Sequence, residues 1–239
     1  MKASELIANN YFKGLIYGDS GVGKTVLAAS FPGPIEYWDF DHKLSSAVGH
    51  FTRTQQTGLL DNIDVHQFGA LTRECRIPAW EVRSKAIDDC VREKKALPFK
   101  TLVLDSLTTF THYMLEDYIY RSQRGLKRSP IDIPCMQDYM LLDKHLTRII
   151  TGILSLDCNV VMLGHLGVEK DESSGAILRQ PLMTGKFATK LPIFFEEVYV
   201  ARMDAQGNRV LQTTPEGGFI ARSQRGYPKQ IPMNIKELI

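Results

Sequence analysis

The sequence predicts an α/β fold in which helices cover both faces of a twisted, mostly parallel β-sheet, with an antiparallel extension near the C-terminus. Short apolar runs alternate along the chain with stretches of helical periodicity. Several of these runs are apolar throughout, as strands buried on both faces are. The 239 residues, of which 44% are hydrophobic and 23% charged, have an ordinary globular composition and predict a single domain over residues 1–239.

The first predicted strand, residues 15–17, ends in a glycine-rich turn. A helix follows over residues 26–29, and Pro32 terminates it because proline cannot continue a helix. This first unit is followed by two further short strands and a helical segment, over residues 35–39, 63–68 and 80–91.

The second half begins with the β-prone run 101–104, which ends on Asp105. The elements after it are predicted to be two helices and a buried strand, over residues 107–120, 136–156 and 159–163. Residues 197–203 and 209–214 then predict a hairpin around a glycine-containing turn, which would add antiparallel strands to the sheet.

The most specific motif is the turn after the first strand. It matches G-x-x-x-x-G-K-[ST] in full, with Gly18, Asp19, Ser20, Gly21, Val22, Gly23, Lys24 and Thr25. Backbone N–H groups of such a loop cradle phosphates. We therefore predict that it binds ATP, with Lys24 bridging the β- and γ-phosphates and the Thr25 hydroxyl as a Mg²⁺ ligand. The alternative is a glycine-rich turn without a ligand.

A second Mg²⁺ element is predicted at Asp105, which closes an apolar strand at the edge of the sheet where doubly wound folds bind ligands. Asp105 would hold the metal through water, and Ser106 would reinforce that shell. The alternative is that Asp105 or Ser106 caps the helix that begins near Leu107. Both roles are compatible.

Composition excludes several classes of protein. The net charge of +2 means that any nucleic-acid surface must be a local cluster of cations. The four cysteines form no CxxC pair, so no zinc site is predicted. The first ten residues do not resemble a secretory signal, and no apolar run approaches the roughly 20 residues that cross a bilayer. The sequence thus predicts a reducing, cytoplasmic location and no membrane partner.

Residues 39–44, just after the second strand, resemble the region of RecA-type recombinases in which a carboxylate polarises the attacking water. The resemblance implies that Asp41 is the general base, with Asp39 as the alternative on the same strand face. Because the family usually has Glu there, the shorter Asp41 implies slow turnover. By the same match His165, after the strand 159–163, would be the γ-phosphate sensor, linked to a mobile DNA-contacting loop.

The similarity covers residues 13–227 and is greatest to compact, phage-encoded RecA-like ATPases that act in single-strand annealing or recombination. It implies a RecA-like P-loop NTPase fold and a ring or filament with ATP at subunit boundaries, with residues 1–12 as an inter-subunit contact. It also implies that Lys186 or Lys190 acts on a neighbour's γ-phosphate as an arginine finger does. Arg222 and Arg225 belong to the family's closing strand and basic turn, without an assigned role.

The cation-rich loop 121–130 lies where RecA-like proteins carry their first DNA loop. Its cations are Arg121, Arg124, Lys127 and Arg128. Flexible cations suit a phosphate backbone, so we predict contact with single-stranded DNA. The alternative is a solvated, positively charged helix end.

Three functions are therefore compared. The first is a DNA-stimulated ATPase that promotes annealing or strand pairing, alone or with a single-strand-binding or annealing protein. The second is a nucleotide-gated DNA-binding module with negligible hydrolysis, which the shortened Asp41 favours. The third is a small-molecule kinase with an arginine-rich lid around Arg121, Arg124 and Arg128.

Overall fold

The computed structural model describes residues 11–69, 79–93, 95–122, 134–170, 172 and 175–239. Within them the strands are β1 (Lys13–Gly18), β2 (Ile35–Asp39), β3 (Ile63–Gln67), β4 (Thr101–Asp105), β5 (Asn159–Lys170), β6 (Ile177–Pro181), β7 (Glu197–Met203), β8 (Arg209–Gln212) and β9 (Gln230–Pro232). The helices are α1 (Lys24–Ala28), α2 (Ser45–Arg53), α3 (Ala79–Arg92), α4 (Leu107–Ser122), α5 (Met136–Leu154) and α6 (Phe187–Lys190). Short 3₁₀ segments cover Thr57–Asn62, Leu191–Phe194 and Ile235–Glu237.

The strands form one sheet in the order β3-β2-β4-β5-β1-β7-β8-β9, and β6 pairs with the far end of β5. All pairs from β3 to β7 are parallel, whereas β8 and β9 continue the sheet in antiparallel fashion. The mixed, mostly parallel sheet is the predicted one and agrees with a P-loop NTPase fold. The hairpin β7–β8 is confirmed as well.

The register of the parallel strands brings four candidate residues to one edge. Gly18 at the end of β1 pairs with His165 in β5, and Asp39 at the end of β2 pairs with Asp105 at the end of β4. Because β5 lies between β1 and β4, His165 is between the phosphate loop and Asp105. The carboxyl edge of the sheet therefore assembles the site.

Two buried clusters cover the faces of the sheet. Alternate residues of a strand point to opposite faces, so Leu15 packs with α4 and α5 whereas Ile16 packs with α1 and α2. On the second face, Ile231 and Leu238 from the C-terminal segment join the cluster. None of the helices in the part of the chain described above is both long and apolar enough to span a membrane.

Two elements near the site differ from the sequence expectation, and α6 and β9 were not predicted either. Helix α2 was not predicted, although its buried Ala47 and Phe51 have helical spacing. Strand β5 was predicted to end at Leu163, with a mobile stretch after it, but it continues to Lys170 and pairs with β6. The backbone hydrogen bonds of this hairpin explain the added length, because they satisfy polar groups that a loop would leave to water.

Candidate functional site

Backbone conformation and close packing explain why glycine occupies three positions of the loop after β1. Gly21 and Gly23 have φ angles of 81° and 106°, in the left-handed region that favours glycine. At Gly18 a Cβ atom would lie 2.1 Å from the carbonyl oxygen of Ala201 in β7. The loop therefore turns tightly against β7, which leaves its backbone and Lys24 at the edge of the sheet.

Lys24 is 7% exposed, and its ammonium donates to the carbonyl oxygens of Gly18 at 2.9 Å and Asp19 at 2.7 Å. Burial lowers the pKa of Lys24, while the charges of Asp105, Asp19 and Asp41 oppose that shift. A cation that is partly stripped of water and surrounded by oxygens is well placed to exchange them for phosphate oxygens.

Asp105 is buried beside two hydroxyl groups. Its Oδ2 accepts hydrogen bonds from Thr25 Oγ1 at 2.8 Å and from the Tyr37 hydroxyl at 2.7 Å. Burial raises the pKa of Asp105, and these two hydrogen bonds oppose the shift. A hydroxyl and a carboxylate are hard oxygen ligands, so Thr25 and Asp105 fit the chemistry of a Mg²⁺ ion. Tyr37 was not anticipated from the sequence.

Ser106 caps helix α4 and contacts Asp41. Its Oγ accepts the backbone N–H of Thr109 at 3.3 Å, which caps α4, and donates to Asp41 Oδ1 at 2.9 Å. The helix cap predicted at Asp105 or Ser106 is therefore present at Ser106. Its hydroxyl also contacts Asp41, and its place in a Mg²⁺ shell stays a prediction.

The carboxylate of Asp41 is surrounded by several hydrogen-bond donors. Its side chain is only 4% exposed. The Nε2 of His165 lies 2.8 Å from Oδ2, and the hydroxyls of Ser106 and Thr109 both donate to Oδ1. Burial by itself would raise the pKa of Asp41, but the hydrogen bonds from His165, Thr109 and Ser106 outweigh it and hold the pKa well below its usual range. The carboxylate is therefore ionised at any working pH.

Asp39, the alternative base, has a structural role. Strand β2 ends at Asp39, so Asp39 and Asp41 do not share a strand face as expected. The Asp39 carboxylate accepts the backbone N–H groups of Lys43 at 3.2 Å and Leu44 at 3.3 Å. It thus fixes the turn that carries Asp41, and His42 in that turn has a left-handed φ of 55°.

One cavity of about 400 Å³ connects these groups. It is lined by the predicted residues Lys24, Thr25, Asp41, Asp105 and His165. The sequence did not point to further lining residues from α2 and β8, namely Ser45, Ser46, His50, Arg53 and Arg209. Cationic side chains outnumber the two carboxylates, as a site for a polyanion requires.

His165 also connects the cavity to neighbouring elements. Its backbone N–H donates to the Thr108 hydroxyl at 3.1 Å, and that hydroxyl donates to the carbonyl of Leu182 at 2.8 Å. Thr108 is in the first turn of α4, and Leu182 follows β6. Displacement of His165 would therefore act directly on both α4 and the β5–β6 hairpin.

Other predicted residues lie elsewhere. Lys186 and Lys190 border a separate apolar groove between α5 and α6, and Lys190 Nζ pairs with Asp143 at 3.0 Å. Arg222 donates to the carbonyl of Phe195, and Arg225 to that of Leu238. These two arginines thus bind carbonyl groups of their own chain.

The predicted DNA loop is not among the described residues. Arg124, Lys127 and Arg128 lie outside them, and so does the side chain of Arg121, whose backbone is in the last turn of α4. The contact of this loop with DNA stays a prediction.

A separate cluster of ionisable side chains lies on β2, β3 and α3. Glu36 accepts two hydrogen bonds from the Arg83 guanidinium, at 2.6 Å and 2.5 Å, and lies 3.4 Å from His66. Asp64 is also near, 3.3 Å from the same imidazole nitrogen. Because Arg83 already neutralises Glu36, this cluster ties α3 to β2 and β3.

The chain matches a known protein family. A family model described as AAA domain matches residues 10–225, which include the phosphate loop, Asp41, Asp105 and His165. No curated protein matches the chain.

Proposed function

The chain belongs to the AAA-domain family of P-loop nucleoside triphosphatases, and we propose that it hydrolyses ATP with Mg²⁺ and couples that reaction to binding of single-stranded DNA. The observation that carries the hydrolytic half is the convergence of Lys24, Thr25, Asp105, Asp41 and His165 on one cavity of about 400 Å³. These groups lie in or directly after four different strands and supply each part that phosphoryl transfer to water needs.

Three residues bind the phosphates and the metal in this proposal. Lys24 contacts the β- and γ-phosphates, while Thr25 and Asp105 hold Mg²⁺, Asp105 through water. Mg²⁺, when bound, neutralises charge on the phosphate oxygens. The short Thr25–Asp105 hydrogen bond of 2.8 Å supports this pairing, because it brings both ligands to one point.

Asp41 and His165 orient the attacking water. The lowered pKa makes Asp41 a weak proton acceptor but a permanent hydrogen-bond acceptor, so its contribution is to position the water. His165 bonds Asp41 and lines the same cavity, so it can respond to the γ-phosphate. Residues of this kind typically contribute about 10²–10⁴-fold to the rate.

The same geometry also favours a second candidate, a nucleotide-gated DNA-binding module with negligible hydrolysis. Asp41 already accepts bonds from three side chains and has Lys43 Nζ at 3.8 Å. A carboxylate that is so fully engaged holds a further water less strongly. Slow turnover would let the nucleotide act mainly as a switch.

The path from the cavity supports coupling to DNA. Helix α4 begins two residues after Asp105 and leads into the cationic loop 121–130, and strand β5 carries His165 and continues into the β5–β6 hairpin. Both segments thus start at the phosphate site. The DNA contact itself is proposed on the four cations of the loop and on the resemblance to RecA-like annealing and recombination proteins.

The assembly is also proposed on resemblance. We propose a ring or filament in which Lys186 or Lys190 approaches a neighbour's γ-phosphate. Lys186 is the better residue to test, because Lys190 already pairs with Asp143. A recombination role with a single-strand-binding or annealing partner belongs to the same proposal.

ATP hydrolysis, measured with and without single-stranded or duplex DNA, tests the proposed function. We expect activity that single strands stimulate, loss of activity in Lys24→Ala and Asp41→Ala, and loss of stimulation alone when Arg124, Lys127 and Arg128 become Gln. The matched control neutralises the exposed cations Arg92, Lys95 and Lys229.

Other outcomes of this experiment would favour different functions. ATP-dependent DNA binding without hydrolysis would select the gated module. Phosphorylation of a small acceptor, with no response to DNA, would contradict both candidates and favour a kinase.

A further inference from the structure

A second cavity of about 530 Å³ adjoins the phosphate cavity. The two cavities share Gly23, Val26, His50 and Arg209. A molecule that has its phosphates on the loop can therefore extend from the first cavity into the second. Asp41 and His165 line the first cavity and are absent from the lining of the second, so the γ-phosphate end faces away from this junction.

The walls of the second cavity suit a flat ring with polar edges. Val26 and Leu27 of α1, with Phe51 and Leu59, form an apolar side. Gln56 lies among them and is exposed, so its amide N–H groups can reach a ligand. Ligand sites typically combine such apolar walls with a few polar groups.

The opposite wall is the C-terminal segment, Met233, Asn234, Ile235 and Lys236. It is firmly held, because the Met233 N–H donates to the Arg209 carbonyl at 3.1 Å and the Tyr227 hydroxyl donates to the Glu237 carbonyl at 2.5 Å. Leu238 at its end is fully buried. These residues follow residue 225, where the family match ends.

Arg209 lies at the junction of the two cavities. It is exposed, and its guanidinium has no hydrogen bond or ion pair to any residue in the part of the chain that the structure describes. Its side chain passes next to the loop, since a Cβ atom at Gly23 would lie 3.6 Å from Arg209 Cδ. A guanidinium at this point can bind phosphate oxygens.

We propose that the second cavity binds the purine base and ribose of the nucleotide, that the segment 233–236 forms one wall of this nucleoside site, and that Arg209 contacts the phosphate next to the ribose. The inference rests on the proposed function, because it requires the phosphates to lie on the loop. It assigns ligand contacts to α2 and to a C-terminal segment outside the family match.

Calorimetry with the Mg²⁺ complexes of ATP, CTP and inorganic tripolyphosphate tests the nucleoside site. The intact protein should bind ATP more tightly than CTP, and CTP more tightly than tripolyphosphate. Asn234→Ala and Gln56→Ala should each weaken ATP binding about fivefold, the equivalent of one hydrogen bond, and leave tripolyphosphate binding unchanged. Arg209→Gln should weaken both ligands, and the matched exposed arginine variant Arg92→Gln should weaken neither.

The design separates this inference from the proposed function. Equal affinity for ATP and tripolyphosphate, or equal weakening of both by Asn234→Ala, would overturn the nucleoside site and leave the phosphate site intact. Equal affinity for ATP and CTP would overturn the purine assignment. Absence of binding by all three ligands would overturn the proposed function as well. Tripolyphosphate binding also serves as the folding control for Asn234→Ala and Gln56→Ala.

Discussion

Asp105 and Asp41 are two buried carboxylates at the same edge of the sheet, yet their surroundings shift their pKa values in opposite directions. Among the described residues, the side-chain carboxylate of Asp105 accepts hydrogen bonds from the hydroxyls of Thr25 and Tyr37, and burial raises its pKa. Asp41 is also buried, but an imidazole joins two hydroxyls around it and its pKa is lowered. Burial decides the direction of the pKa shift at Asp105, whereas the hydrogen-bond partners decide it at Asp41.

The difference assigns different work to the two groups. A carboxylate with a raised pKa gains most from a divalent cation, because the metal compensates the cost of its buried charge. A carboxylate that is ionised at all working pH values, and already surrounded by donors, is suited to orient a neutral molecule such as water. Substitutions that remove either charge, or that change its hydrogen-bond partners, test whether the two carboxylates have different roles.

Asp105→Asn should have the largest effect. It removes the charge that holds Mg²⁺, and metal ions supply several kcal/mol of transition-state stabilisation, so we expect Mg²⁺-dependent hydrolysis to fall on the order of 10³-fold. Steady-state hydrolysis measures it, with Asp88→Asn, exposed on α3, as the control. Activity within about tenfold of the intact protein would contradict the metal role.

Asp41→Asn should lower kcat about 100-fold, in the range of a positioned catalytic group, with little change in the dissociation constant for Mg-ATP. Asp41 does not hold the phosphates in our account, so binding and turnover should separate. Calorimetry and hydrolysis measured on the same variant check this. If the variant binds ATP as poorly as Asp105→Asn does, the two carboxylates share one role and the comparison fails.

His165→Gln should move the acid limb of the kcat–pH profile. His165 is a leading cause of the lowered pKa of Asp41, so its removal raises that pKa. Asp41 is needed in its ionised form, and activity is lost as pH falls through its pKa. In the intact protein this limb lies below any working pH, and in the variant it should rise toward the ordinary range of a carboxylic acid, with about a tenfold loss of rate on its acid side. His112→Gln, exposed on α4, is the control, and an unmoved limb would contradict the account.

Tyr37→Phe should have the smallest effect. The Tyr37 hydroxyl lowers the pKa of Asp105, so its loss raises that pKa further and lets a proton compete with Mg²⁺ as pH falls. We expect the Mg²⁺ concentration for half-maximal activity to rise about fivefold at acidic pH and to change little at alkaline pH. Tyr199→Phe, which loses a buried hydroxyl bonded to Glu197, is the control. Equal shifts at both pH values would show that Tyr37 acts on packing alone.

The parts of the site that the sequence predicted are those that depend on residue spacing within one short segment. The loop 18–25 has its glycines and Lys24 at fixed spacing, and Asp105 closes an unbroken apolar strand. Each pattern can be interpreted without knowledge of the rest of the chain. The hairpin β7–β8 was predicted for the same reason, because a glycine-containing turn separates two β-prone runs.

The parts that were missed depend on register between distant segments. Tyr37 is in a strand that is buried throughout, and only the pairing of β2 with β4 brings its hydroxyl to Asp105. Thr109 reaches Asp41 because Ser106 starts α4 at the end of β4. Arg209 reaches the phosphate loop because its strand, β8, pairs with β7, and β7 lies next to β1 in the sheet. No local spacing contains these relations.

The central claim is that Lys24, Thr25 and Asp105 bind a nucleoside triphosphate and its metal in one cavity. Titration calorimetry of Mg-ATP into the intact protein and into Lys24→Ala tests it most directly. We expect a single binding site in the intact protein and, since Lys24 supplies charge-assisted hydrogen bonds, affinity on the order of 100-fold weaker in the variant. Equal binding by both proteins, or no binding by the intact protein, would contradict the claim.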